Sequence, residues 1–151
     1  MQPRHWSGPK PTSGPKPEKR LEHLVMFSIG TQFPGENFVW KFHASEFDPP
    51  GIPDIIGSIQ GRFVGLELKM EGNYFSEFQK TKMLLISQSG GIACGVIQMK
   101  DESVWLLTND VVQSFTLRDR TRWLPLAPLE WIDAHGGRHP VLNLAALKVL
   151  L

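Results

Sequence analysis

Two runs rich in branched and aromatic residues, Pro53 to Ile59 and Arg62 to Lys69, stand on either side of Gln60-Gly61 and predict a β-hairpin with a tight two-residue turn. In that register residues whose numbers sum to 121 face each other, so Ile59 meets Arg62, Gly57 meets Val64 and Asp54 meets Glu67. Side chains two apart share a face of a strand, which sets Lys69 beside Glu67 and sends Val64, Leu66 and Leu68 to the opposite, core-facing side.

The pattern on either side of the hairpin supplies the rest of a domain. Pro17 suits the first turn of a helix that the apolar stripe Leu21, Leu24, Val25 and Ser28 carries to about Ile29, with Gly30 and Pro34-Gly35 ending it. Phe38 to His43 reads as a strand, with Trp40 and Phe42 on one side and Lys41 and His43 on the other. After Lys69, Ser76-Glu-Phe-Gln79 has the pattern of a capping box and opens a helix to about Ser87. Gly90-Gly91 closes that helix, and Ile92 to Met99 is apolar enough to be a central strand. Val104 to Thr108 is a further strand, and Asn109 opens a short helix through Phe115. The stretch from Thr116 to Pro140 has no clear period, and Val141 to Leu151 reads as an apolar helix with a stripe of Leu142, Ala145, Ala146 and Val149.

This order predicts an α/β fold, a mixed central β-sheet flanked by helices. Three regions follow: a disordered basic Pro/Gly-rich tail over residues 1–17, a core over 18–115, and a C-terminal extension over 116–151 packed on the same domain. In the tail, Ser7-Gly-Pro-Lys-Pro11 recurs as Ser13-Gly-Pro-Lys-Pro17; it reads as a linker or as a basic arm that tracks phosphates.

Candidate chemistry starts at the hairpin. Two directly opposed carboxylates repel, and a hard divalent cation such as magnesium or manganese held between them would offset that cost; the plainer reading is a charged, solvated strand face. Asp54 follows Gly51-Ile-Pro53, which restricts the backbone where the carboxylate is presented.

Pro53-Asp54 followed by Glu67-x-Lys69 resembles the signature of the PD-(D/E)XK nucleases, with their restriction-endonuclease-like core. The fuller text, Pro50-Gly-Ile-Pro-Asp-Ile-Ile-Gly57 and then Gly61-Arg-Phe-Val-Gly-Leu-Glu-Leu-Lys69, is similar to their VRR-NUC branch, common in phages and itself similar to Holliday-junction resolvases. The resemblance covers about Glu18 to Val96. It implies a magnesium-dependent endonuclease acting on DNA, with manganese able to substitute, often on branched junctions or flaps and often as a homodimer, in replication, recombination or packaging.

By the same resemblance, Asp54, Glu67, the Leu68 carbonyl and an acidic residue of the first helix hold the metal; matching Leu21 and Val25 to the family's apolar positions makes that residue Glu18, with Glu22 the alternative. Lys69 and Gln79 join Asp54 and Glu67 in catalysis, although Gln79 has a competing role in the capping box. Lys41 and His43 are candidate DNA contacts, as are Lys80 and Lys82 on the helix that Gln79 opens. Arg120 and Arg122 interleave with Trp123 and Trp131 as a surface that contacts single strands or junctions would, or as packing at Pro-rich bends. A nucleic-acid-binding module without turnover and a sequence-specific restriction-type enzyme are the alternatives.

Composition narrows the remaining choices. The 151 residues, 41% apolar and 21% charged, suit one soluble domain, and no apolar run is long enough to span a bilayer, so an intracellular, cytoplasmic protein is expected. A formal net charge of +1 means that affinity for nucleic acid has to come from local patches. The single cysteine, Cys94, sits in an apolar run and reads as a buried small hydrophobe. His135 and His139 are four apart, but Gly136-Gly137 between them argues against a helix presenting both to a metal.

Overall fold

The computed structural model describes residues 16–151. The expected basic tail, apart from Lys16 and Pro17, lies outside the described residues. The elements are α1 (Pro17–Gln32), β1 (Asn37–Lys41), β2 (Ile55–Ile59), β3 (Arg62–Met70), α2 (Glu77–Gln88), β4 (Ile92–Gln98), β5 (Val104–Thr108), α3 (Asn109–Gln113), β6 (Leu124–Pro125), β7 (Pro128–Ile132), β8 (Arg138–Leu142) and α4 (Ala145–Leu150).

β1 to β6 form one mixed sheet in chain order, with β3 and β4 parallel and every other neighbouring pair antiparallel. A parallel pair needs a crossover, and α2 supplies it. The β2–β3 hairpin has the register that its turn chemistry predicts, Ile59 opposite Arg62 and Ile55 opposite Leu66. Gln60 and Gly61 both take positive φ, 51° and 80°, as a turn matching the strand twist demands.

Helices cover both faces of this sheet. On one, Leu21, Val25 and Ile29 of α1 pack with Ile55, Val64, Leu66, Leu68, Cys94 and Val96. On the other, Met83 of α2 and Val111 and Val112 of α3 pack with Phe75, Ala93, Ile97, Leu107 and Trp123. β4 is buried on both sides, as its unbroken apolar run implies. Residues 116–151 contribute Trp123, Leu126, Leu142, Leu144 and Leu147 to these two clusters.

Several expected boundaries shift. α1 continues through Gly30 to Gln32, whose side chain bonds the Leu142 carbonyl and the Leu144 N–H across the fold. β1 stops at Lys41, so His43 lies in the following loop, although the Phe42 N–H still bonds the Asp54 carbonyl at 2.7 Å. The C-terminal stretch is not one helix. Val141 and Leu142 end β8, and the helix that remains buries Leu147 while Ala145 and Val149 are exposed. A hairpin of alternating Pro, Trp and charged residues, with the sheet contact on one side only, leaves little hydrophobic period to read; β6, β7 and β8 were accordingly invisible in the pattern.

Candidate active site

Glu67 lies mid-strand in β3, on the face opposite Leu66 and Leu68, and is 3% exposed. Asp54 sits one residue before β2, where the hairpin register continues to bring it opposite Glu67. Its carboxylate accepts the Leu68 N–H at 2.8 Å, which holds the loop end of β2 against β3.

A close backbone approach sets the position of that loop. Gly51, at φ +87°, lies so near the first turn of α2 that a Cβ there would stand 2.3 Å from the Phe78 carbonyl oxygen. Only glycine fits such a position without moving one of the two segments. Asp54 is thereby registered against the helix that carries Gln79.

Gln79 bonds the start of its own helix and Glu67 at once. As the third residue of α2 it completes a capping box, its N–H donating to Ser76 Oγ and its Oε1 accepting the Ser76 N–H at 2.9 Å. The other end of the same amide donates from Nε2 to Glu67 Oε1 at 2.8 Å. Lys69 Nζ is 3.9 Å from that oxygen and 5.8 Å from the centroid of the Phe75 ring.

Electrostatics mark the pair as a site short of positive charge. Burial pushes the Glu67 carboxyl up to about 9, the neighbouring Asp54 charge adds to the rise, and Lys69 offsets part of it. Burial also raises Asp54, against the Leu68 N–H and Lys69, which favour its charged form. Glu67 Oε2 is buried without a hydrogen-bond partner. An unpaired buried carboxylate oxygen is costly; a proton shared with Asp54 satisfies it when the pair holds one proton, and a cation between the two acids would satisfy it when both are ionised. Among the described residues no group of three or more His, Cys, Asp or Glu side chains is placed to hold a metal. The donors present, two carboxylates with backbone oxygen and water, suit magnesium, which keeps much of its water shell.

The helical carboxylate near the pair is Glu22 and not Glu18. Glu18 is exposed, whereas Glu22 is buried on α1 and its charge acts on Asp54. One helical turn separates them, and the buried stripe of α1 begins at Leu21 and Glu22, beyond Glu18. Glu22 Oε1 lies 3.3 Å from Lys41 Nζ and 3.4 Å from Lys19 Nζ, and Lys41 stands on the face of Ile55 and Leu66, opposite that of Glu67.

The other expected DNA contacts scatter. His43 is exposed in the loop after β1. Lys80 pairs with Glu77 at 3.8 Å, and Lys82 is half-buried with no ion pair among the described residues. Arg120 lies over the Trp123 ring at 5.3 Å and Arg122 pairs with Asp110 at 2.8 Å. Trp123 is 4% exposed, which makes it a core residue and removes it from any stacking surface. Trp131 packs edge-on to Phe27, and His139 of β8 bonds Asp133, whose other oxygen accepts the His135 N–H. Cys94 is buried, its thiol pushed up to about 12 by burial and by Asp110. Among the described residues no helix is long and apolar enough to cross a membrane.

No family model matches the chain, and no curated protein sequence matches it. Among solved structures it is similar to the 1.6 Å structure of Hjc, a Holliday junction resolvase from the archaeal hyperthermophile Archaeoglobus fulgidus. The TM-score is 0.49 and the identity 13%, over 62% of this chain and 78% of that one.

Proposed function

We propose that this protein is a metal-dependent nuclease that hydrolyses DNA phosphodiester bonds, selecting its substrate by structure. One observation carries the reading: Asp54 and Glu67 stand side by side and largely buried, Glu67 Oε2 has no donor while both acids are ionised, and an ammonium lies 3.9 Å from Glu67 Oε1. Asp54, Glu67 and the Leu68 carbonyl would hold magnesium or manganese, and Glu22 would add negative charge behind Asp54. When bound, such an ion supplies positive charge to the phosphodiester and lowers the pKa of water.

The side chains have separable tasks. Gln79 keeps Glu67 pointing at the gap between the acids through its 2.8 Å bond. Lys69 neutralises the phosphate as charge builds on it, or orients the attacking water. Lys41, paired with Glu22, and Lys82, on the helix of Gln79, are candidate contacts for the backbone. Branched or flap DNA and an intracellular setting remain the preferred substrate class and compartment.

The partner besides DNA is a second copy of the chain. In register across β1, β2 and β3, Phe38 meets Ser58 and Ser58 meets Phe63, while Trp40 meets Ile56, so these side chains share the face on which α2 packs over Gly65 and which carries Glu67 and Lys69, and they lie toward its β1 edge. Phe38 is 73% exposed, Trp40 44% and Phe63 47%, with Phe78 of α2 at 63%. Taking about 200 Å² for each ring, the four present roughly 500 Å² of apolar surface. A stable dimer buries about 800 Å² per partner, some 60% of it apolar.

Incubation with a labelled four-way junction, a flap, a duplex and a single strand, in magnesium, manganese or chelator, tests the activity. Metal-dependent cutting that Asp54→Ala and Lys69→Ala abolish is expected. Tight binding without cutting would move the reading to a binding module, and cutting that survives either substitution would remove the assignment.

A further inference from the structure

Lys69 lies between two unlike neighbours, the Glu67 carboxylate and the face of Phe75. Its side chain is only 14% exposed, so the ammonium has little water and depends on what surrounds it. Phe75 belongs to the loop between β3 and α2 and is 5% exposed. Its ring reaches the sheet through a gap in β4. Gly95, the parallel-strand partner of Glu67, has no side chain, and a Cβ there would stand 2.6 Å from Phe75 Cζ and 3.0 Å from Cε1.

We infer that Phe75 is the positioning residue for Lys69, seated by the slot that Gly95 leaves and buttressed by the C-terminal extension. From behind, Phe115 meets the Phe75 ring edge-on at 5.2 Å, and Phe115 is itself stacked on Trp123 at 5.9 Å. The relay Trp123, Phe115, Phe75, Lys69 gives the segment after residue 115 a part in the site that a purely peripheral extension would lack. A cation within about 6 Å of a ring face is attracted to it, more strongly where water is excluded. The ring and Glu67 together hold the ammonium in one place. The consequence for catalysis rests on the nuclease reading above, whereas the geometry does not.

Two measurements test this and fail separately. In the NMR spectrum of the full chain, the Lys69 ε-methylene resonances, assigned by their loss in Lys69→Met, are expected upfield from the ring current of Phe75. They should move to the positions of an exposed lysine in Phe75→Leu. For cleavage, Phe75→Leu is expected to lower kcat about two- to thirty-fold with little change in KM. Gly95→Ala, which pushes the ring without removing it, should shift both readouts in the direction of Phe75→Leu. Ordinary lysine shifts for Lys69 in the wild type would overturn the inference even if no substrate is ever cut. An unchanged kcat in Phe75→Leu, with Lys69→Ala inactive, would overturn it while leaving the nuclease reading intact.

Discussion

Gln79 Nε2 donates to Glu67 Oε1 at 2.8 Å while Gln79 Oε1 accepts the Ser76 N–H, so one amide caps α2 and orients a candidate metal ligand. The two ends of the amide point to different partners, and neither role competes with the other. Gln79→Ala leaves a buried Glu67 oxygen and a helix-end N–H without partners. It should therefore cost about 1–3 kcal/mol, more than an exposed cap alone, read as a lowered denaturant midpoint. Gln79→Glu keeps the cap acceptor but sets a third carboxylate against Glu67, and should retain less activity than stability. A Gln79→Ala protein as stable as the wild type would mean that the bond to Glu67 carries no weight.

Magnesium binding gives the second expectation. A ligand that binds only the folded chain stabilises it by about 2.7 kcal/mol at a hundred times its Kd, so millimolar magnesium should raise Tm by several degrees. Glu67→Gln and Asp54→Asn should remove the rise. Glu18→Gln should keep it in full, since Glu18 is exposed, while Glu22→Gln should alter it. Calorimetry in which Glu18→Gln abolishes binding would restore Glu18 as the helical ligand.

Self-association should depend on the β1 edge of the sheet face that carries Phe38, Trp40 and Phe63. Phe38→Ser with Trp40→Ser is expected to turn a dimer into a monomer in sedimentation at micromolar concentration, with circular dichroism unchanged. A wild-type chain that sediments as a monomer throughout would exclude the second copy as the occupant of that face.

Acid acts on a different part of the fold. Asp133 accepts from the His135 and Gly137 N–H groups and bonds His139, and these contacts, led by His139, hold its carboxyl down at about 2. A depressed carboxylate adds stability that is complete above its unfolded value near 4 and fades as pH falls through about 2. The turn between β7 and β8 should keep slow amide exchange at Gly137 down to about pH 3 and lose it below, and Asp133→Ala should lose it at neutral pH.

The hairpin, the capping box and the buried central strand were legible because each depends on neighbours in sequence. A two-residue turn sets which side chains oppose, and a period of two sets which share a face. That is enough to bring Asp54 opposite Glu67 and Lys69 alongside. The capping box in Ser76 to Gln79 was legible for the same reason. Its second bond, to Glu67, could be expected only through family resemblance, because the partner is 12 residues away on another element.

Sequence by itself thus determined the hairpin register, the order of helices and strands as far as residue 115, and the acid pair with its lysine. Tertiary structure alone decided which carboxylate of α1 approaches that pair, since Glu18 and Glu22 lie on neighbouring positions of one helix and only the docking of Leu21 and Val25 on the sheet chooses between them. It also decided that Trp123 is a core residue, that Gly51 lets the Asp54 loop rest on α2, and that Phe75 reaches Lys69 through Gly95. Each of these depends on how far one element slides along another, a quantity set by the packing of side chains remote in sequence.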